Sequence, residues 1–189
     1  MKTSVILLRG LTPIGKNKVL MAPLRAALTK AGLKDVQTYI QSGNVVAASS
    51  LTHPELENLV HEVIRESFGG DIAVLARTPE QFSDILKRNP FIDAHGSKLH
   101  FSLLATEPDK KLLKQFLSTD FSPDQVCYVN DTIYTLYATK HSDSKFNNNY
   151  FERKLRVTAT TRNLNTMTKL VALAADQQDA PADGKNHRS

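Results

Sequence analysis

Gly10, four residues, then Gly15 and Lys16 is the spacing of a loop that cradles phosphates with its backbone N–H groups. Asn17 stands where the Mg²⁺-binding hydroxyl of such a loop belongs. A working cradle also opens its helix at the Gly-Lys pair, so that the first-turn N–H groups and the helix dipole face the anion. Pro23 lies seven residues past Lys16. A helix starting at Lys16 would hold that proline in its interior, at a cost of about 3 kcal/mol. The apolar period begins only near Leu20, so the helix is predicted to start around Met21 with Pro23 in its first turn. Asn130-Asp131 comes nearest to a second magnesium ligand, and turn chemistry already explains that pair. The segment reads as a polar strand-to-helix loop.

Three further stretches carry polar groups that could recognise a ligand. "YIQSGNVV" puts Gln41, Ser42 and Asn44 on a tight hairpin. Ser, Gly and Asn belong in turns, while the Gln41 and Asn44 amides are free to face a ligand. "SKFNNNYFERKL" (144–155) holds three consecutive Asn residues, whose side chains compete for the backbone inside a helix. Ser142 or Ser144 is expected to cap this helix. Lys145 near its start opposes the dipole; an anionic ligand there would account for it, and so would a frayed polar helix end. "TTRN" is predicted to open the last helix. Free N–H groups, the hydroxyls of Thr160 and Thr161 and the Arg162 guanidinium would suit an anion there, and N-capping by Thr161 is the simpler reading. The candidate ligand-binding residues are Arg9, Gln41, Ser42, Asn44, Ser144, Lys145, Asn148, Thr161, Arg162 and Asn163.

For catalysis the sequence offers little. None of the six histidines sits in an H-E-x-x-H pattern. His95 and His100 flank the second half without an acid or nucleophile tied to them by spacing, so no catalytic residue is assigned. Cys127 is the one cysteine and lies mid-strand among apolar neighbours, which suits an inert thiol. A single cysteine forms no intramolecular disulfide and no Cys-cluster zinc site, and fits a reducing cytoplasm. No metal or cofactor is implied. No stretch approaches the ~18 apolar residues of a membrane span, so no membrane partner is expected, and "MKTSVILLRG" reads as a first strand rather than a signal peptide. The formal charge of +5 favours phosphate-bearing partners and equally serves solubility. No block of like charges forms a nucleic-acid arm.

The elements that must position these groups follow from periodicity. Ser4–Leu8 is a continuous apolar run and reads as a buried strand. Leu20, Leu24, Ala27, Leu28 and Ala31 line one helix face, with Gly32 at its end. Two strands flank "QSGN", a helix follows the capping box Thr52-x-x-Glu55 and ends at Gly69-Gly70, and "DIAVLAR" is the next strand. A spacer helix opens with Thr78-Pro79 and ends at Asn89-Pro90. Then "KLHFSLLA" alternates, Pro108–Leu117 is a helix, and "QVCYV" and "TIYTLYA" flank Asn130-Asp131 as a two-residue hairpin. That hairpin pairs Val126 with Thr135 and Tyr128 with Ile133. Tyr128, Tyr134 and Tyr137 could form an open aromatic face that stacks RNA bases; burial against a helix or the other half explains them as well. "VTAT" is a short strand, and a last helix is predicted from about Arg162 to Ala174. The fold class is α+β: a duplicated ferredoxin-like arrangement, two β-α-β-β-α-β halves with a linking helix and a C-terminal helix. The halves are 1–77 and 98–175 (the latter with the C-terminal helix), the linking helix and loop is 78–97, and 176–189 is expected to be a disordered tail.

"LLRG" followed by "NKV", "TYIQSGNVV", "SK" with Asn148 and Glu152-Arg153 downstream, and "ATTRNLNT" together resemble the family known as domain of unknown function 1697, small and mostly bacterial proteins. The resemblance runs from about Ser4 to Leu173 and implies a duplicated ferredoxin-like architecture; no activity comes with it. The positions that match the shared motifs are Arg9, Gly10, Asn17, Lys18, Gln41, Ser42, Gly43, Asn44, Ser144, Lys145, Asn148, Glu152, Thr161, Arg162, Asn163 and Thr166. "LTPIG" replaces an Asn- and Gly-rich stretch of the family, and Leu164 stands where an aromatic is common.

Three function classes stay open at this point. One is a cytoplasmic binding protein for a phosphate-bearing ligand, an anionic small molecule or nucleic acid. Arg9, Lys145 and Arg162 would supply charge and Gln41, Asn44, Asn148 and Asn163 amide recognition around one cleft. Another is an enzyme acting on a small polar or phosphorylated metabolite, with Lys145 and Glu152 two turns apart on one helix, ~10 Å along its axis, as acid and base. The third is a structural or interaction protein with a large exposed apolar patch. The sequence carries no signal for oligomeric state.

Overall fold

A computed structural model of the chain describes residues 1–12, 14–94 and 96–179. His95 and the predicted tail beyond residue 179 lie outside the described residues. The architecture is mixed α+β, with two four-stranded antiparallel sheets and six α-helices among the described residues.

The first sheet has the spatial order β2 (Lys34–Tyr39), β3 (Asn44–Ser49), β1 (Lys2–Arg9), β4 (Ala73–Arg77). The second repeats that order with β6 (Gln125–Val129), β7 (Thr132–Leu136), β5 (Leu99–Leu104) and β8 (Ala159–Asn163). In each, the central strand is the first in chain order and pairs antiparallel with the third and fourth. Side chains alternate across a strand, and both faces of both sheets are covered. Ile6, Leu8, Val45 and Ala47 meet helices α1 (Met21–Lys30) and α2 (His53–Phe68). Val5, Leu7 and Val46 face the other way, toward Leu99, Phe101, Leu103 and Tyr134 of the second sheet. Helix α3 (Pro79–Lys87) and helix α6 (Leu164–Asp179) add Phe82, Ile85, Met167, Leu170 and Ala174 to this shared core. On the far side, Leu104 and Ile133 pack with Phe116 of α4 (Lys110–Leu117) and Phe151 and Leu155 of α5 (Asn148–Leu155). Burial on two faces explains the continuous apolar run of β1.

Local signals set several boundaries as expected. α1 begins at Met21, leaving Pro23 in the first turn. Glu55 accepts from the Thr52 N–H (2.8 Å) and hydroxyl (2.7 Å), and Thr78 caps α3 by accepting from the Gln81 N–H (3.2 Å). The Asn130-Asp131 hairpin pairs Val126 with Thr135 and Tyr128 with Ile133. Its rings are not an open stacking face. Tyr134 is buried in the shared core and donates to the Ile85 carbonyl (2.9 Å). Tyr137 is buried beneath the turn before α5 and donates to the Phe146 carbonyl (2.5 Å).

Two helix starts differ from expectation. α5 is capped by Asn147, whose Oδ1 accepts from the Tyr150 N–H (3.2 Å), and neither Ser142 nor Ser144 serves. The Ser144 hydroxyl is already held by Asp124 (2.6 Å). The Asn run therefore lies at a helix start, where short amide side chains are favourable. β8 runs through Arg162 and Asn163, because Phe101 and His100 of β5 continue the ladder opposite them. α6 starts at Leu164, and its cap is Asn163, accepting from the Thr166 N–H (2.9 Å), rather than Thr161. α6 also continues past Ala174 to Asp179, so residues 176–179 are helix and not tail. Its last turn is tied down by Gln178 donating to Glu80 (3.2 Å) and Gln177 donating to the Asp35 carbonyl.

Candidate functional site

The loop that resembles a phosphate cradle closes on itself. Thr12 N–H donates to the Asn17 carbonyl (3.1 Å) and Lys18 N–H to the Gly15 carbonyl (3.2 Å). Asn17 Oδ1, at the position of the missing hydroxyl, accepts from the Asp71 N–H (3.1 Å). Lys16 ends up five residues ahead of α1, away from the helix N–H groups that a phosphate would need.

The matched polar residues meet instead along a seam between the two halves. The β2–β3 loop is tight, and at Gly43 (φ +80°) a Cβ would fall 2.6 Å from Leu11 Cδ1 and 2.8 Å from Leu8 Cβ. Ile40 in the same loop also has a positive φ, +48°, a strained conformation for a β-branched residue. This turn aims loop carbonyls at β8, and Arg162 answers them. Its Nη2 donates to the carbonyls of Leu8 (3.1 Å), Ser42 (3.0 Å) and Gly43 (3.0 Å), its Nη1 to that of Thr161 (2.8 Å), and its Nε to Asn44 Oδ1. Asn44 is fully buried and donates in turn to the Tyr39 carbonyl (3.0 Å) and the Ser42 hydroxyl (2.9 Å). Arg162 is only 9% exposed, and none of its partners is a carboxylate. Burial, with a smaller push from the neighbouring Arg9 guanidinium, lowers its pKa to about 10.

Arg9 crosses the same seam. Its Nε (3.2 Å) and Nη2 (3.0 Å) form a fork on the Glu152 carboxylate, and Nη2 also reaches Asn149 Oδ1 (2.7 Å). Such paired charge-assisted bonds fix orientation as well as adding energy. Glu152 further accepts from the Ala159 N–H (2.9 Å). Asn148 donates to the Ala159 carbonyl (2.8 Å) and accepts from the Thr161 hydroxyl (2.6 Å), which is itself bonded to Ser102 (2.6 Å). All three Asn of the run thus have assigned partners: the α5 cap, β8 and Arg9.

Residues 1–134 match the family model described as "Protein of unknown function (DUF1697)". The chain belongs to this family. Arg9, Gln41, Ser42 and Asn44 lie within the matched part of the DUF1697 chain, and Asn148, Glu152 and Arg162 beyond it. Among solved structures, the DUF1697 chain is similar to the conserved bacterial protein SP0830 from Streptococcus pneumoniae. The two are 24% identical with a TM-score of 0.72, over 91% of this chain and 98% of that one; at this identity the likeness bears on the fold. No curated protein matches the chain.

The single cleft expected to gather all the candidate residues of the DUF1697 chain is not what forms. Arg9, Ser42, Asn44, Asn148, Thr161 and Arg162 are brought together, but as a seam whose inner donors are occupied by the protein's own carbonyls. Gln41 lies at its rim, exposed, donating to the Val19 carbonyl (2.7 Å). Ser144 and Lys145 sit apart on a turn anchored to Asp124. Lys145 lies 5.0 Å over the Phe146 ring and adds a minor pull on Asp120, whose carboxyl the Ser122 backbone and side chain already hold below its usual range. Lys145 precedes α5 and Glu152 is engaged by Arg9, so the expected acid-base pair on one helix does not form. Asn163 caps α6. Sequence reasoning missed a second clamp across the halves: Arg77 donates to the Leu104 carbonyl (2.9 Å) and pairs with Asp131 (3.2 Å). The Asn-Asp turn was visible, but not the arginine 54 residues away that would reach it.

A wider cleft of about 640 Å³ lies beside His100, His141, Lys98, Lys140 and Asn163. The two imidazoles stack with centroids 4.7 Å apart, and Tyr137 meets each edge-on. Burial, aided by the adjacent His141, lowers the His100 pKa from 6.5 to about 4, and burial lowers that of His141. Between those values the unfolded chain binds more protons than the folded one. Stability is therefore expected to fall as pH drops from about 6.5 toward about 4, by on the order of 2–3 kcal/mol from His100. Urea titrations across that range check this, with His100→Phe expected to flatten the slope.

Among the described residues, no group of three or more His, Cys, Asp or Glu is placed to hold a metal ion, and no helix is long and apolar enough to cross a membrane.

Proposed function

We propose that this DUF1697 chain is a binding protein for a phosphate-bearing ligand, held at the rim of the seam between two ferredoxin-like repeats. The matching strand order of the sheets supports the reading as a duplication. The observation that carries the ligand is electrostatic. Two guanidiniums, Arg9 and Arg162, share the seam with one carboxylate, Glu152. Arg162 is surrounded by carbonyl dipoles, which solvate a cation without cancelling its charge. The excess emerges where the chain is open: at Arg9, 26% exposed, whose Nη1 has no partner among the described residues, and at the exposed Gln41 and Ser42 directly over the Arg162 contacts. Arg162, Asn44 and Asn148 act as the rigid backing that holds this rim in place. A half-buried Cys127 with no disulfide partner supports a reducing cytoplasm as the setting.

The test is an amide NMR titration with pyrophosphate and with a nucleoside monophosphate, at constant ionic strength. Saturable shifts are expected at Gln41, Ser42 and Gly10. Arg9→Gln is expected to weaken binding by about 10- to 100-fold, the range for one charged hydrogen bond. Shifts spread evenly over exposed lysines, or absent from the 40–44 loop, would overturn the reading.

A further inference from the structure

The helix layers over the two sheets occupy equivalent places and differ in charge. α1 and α2 present Glu55, Glu62 and Glu66 against Arg25, Lys30 and Arg65, a balanced set, while Glu57 turns inward to accept from the Ala76 N–H (2.7 Å). α4 and α5 present Lys110, Lys111, Lys114, Arg153 and Lys154, all exposed. Two more exposed cations flank α5, Lys145 before it and Arg156 at its end. Of the layer's carboxylates, Glu152 turns inward onto Arg9. Asp109 caps α4 by accepting from the N–H groups of Lys111 (2.9 Å) and Leu112 (3.1 Å). Asp120 accepts from the Ser122 N–H (2.9 Å) and feels a weak pull from Lys145. Among the described residues, no salt bridge engages a cation of this layer, whereas Arg65 of α2 pairs with Glu62. The same fold position is thus balanced over one sheet and basic over the other, so general solubility does not explain the basic face.

The platform is rigid. α4 and α5 are locked by Phe116 meeting Phe151 edge-on, 5.8 Å between centroids. Arg153 and Lys154 are gathered over the Tyr150 ring at 5.6 and 5.7 Å. We infer that the α4–α5 face docks the phosphate backbone of a nucleic-acid duplex, independently of any ligand at the seam. A duplex fits better than a single strand, because Phe116, Phe121, Phe146 and Phe151 are buried and the half-buried Tyr150 ring is already covered by Arg153 and Lys154, which leaves these helices no open ring for unpaired bases. It fits better than a bilayer, because Leu117 is the only exposed large apolar residue on the two helices, too little to insert. Contacts of this kind position the protein on the backbone and read no sequence.

The test is fluorescence anisotropy of the full chain with labelled 20-base-pair DNA and RNA duplexes of arbitrary sequence, over a series of KCl concentrations. Each phosphate neutralised contributes about −0.9 to the slope of log K against log salt, so five cations predict a slope near −4 to −5. The triple variant K110Q/K111Q/K114Q is expected to flatten the slope by about 3 units, and R153Q/K154Q by about 2. Equal charge removed elsewhere, in K2Q/K30Q/K34Q, is expected to leave affinity within about twofold. The inference is overturned if that control loses as much as the α4 variant, if single strands outcompete duplexes, or if phosphatidylserine vesicles bind while duplexes do not. The α4 variant separates the two sites: it weakens duplex binding and leaves the pyrophosphate-induced shifts at Gln41 and Ser42 unchanged.

Discussion

Arg162→Met is expected to lower the unfolding free energy by on the order of 3–5 kcal/mol, because several buried neutral acceptors lose one shared donor together. Met restores volume but no donors. Asn44 Oδ1 then stays buried with its partner gone, at about 1–3 kcal/mol, and the half-buried Ser42 carbonyl loses its donor at a smaller cost. The Gly43 carbonyl is less affected, since Leu8 N–H still donates to it (2.8 Å). For a chain of this length the loss corresponds to roughly 10 °C or more in Tm. Arg162→Lys is expected to fall between the two, because an ammonium cannot span the fork of acceptors that a planar guanidinium reaches. Urea unfolding of both variants checks this. A loss below about 1 kcal/mol for Arg162→Met would mean that the seam contributes little to joining the halves.

Phe101→Ala is expected to cost about 3–5 kcal/mol, the usual range for deleting a buried ring. The ring is fully buried and meets Tyr134 edge-on at 5.4 Å. The more telling expectation concerns cooperativity. Val5, Leu7 and Leu75 of one sheet and Phe101 and Leu103 of the other belong to one core. Methyl signals of Leu7 and Leu103 are therefore expected to disappear at the same urea concentration, in the native chain and in the variant. If the variant moved only the Leu103 transition, the halves would be separate folding units and the core would not be shared.

What could be read in advance was local. Pro23 fixed where α1 starts, Asn130-Asp131 fixed a hairpin register to the residue, and Thr78-Pro79 opened α3. The errors came where a distant partner decides. Thr160–Asn163 satisfies a helix-start pattern as well as a strand, and only the ladder opposite Phe101 and His100 of β5 settles it. Once Arg162 is in a strand, its side chain reaches Asn44, 118 positions away, and a supposed anion ligand becomes backing for the loop above it. In a helix opened at Ser142 or Ser144 the three Asn break the pattern; with α5 starting at Asn148, each amide has a reason to be there. The basic layer was invisible for a similar cause. Lys110–Lys114 and Arg153–Lys154 are unremarkable apart, and packing of α4 on α5 makes them one surface.

The position of α6 has a consequence for synthesis. Met167, Leu170 and Ala174 complete the core between the sheets, and the last turn of the helix is pinned to Asp35 and Glu80. While the chain leaves the ribosome, the inner face of the first sheet lacks part of its apolar cover until residues 164–179 have emerged. A nascent chain stalled before that point presents the kind of surface that chaperones hold and that aggregates recruit, so a stop codon near residue 160 should leave little of the protein in the supernatant.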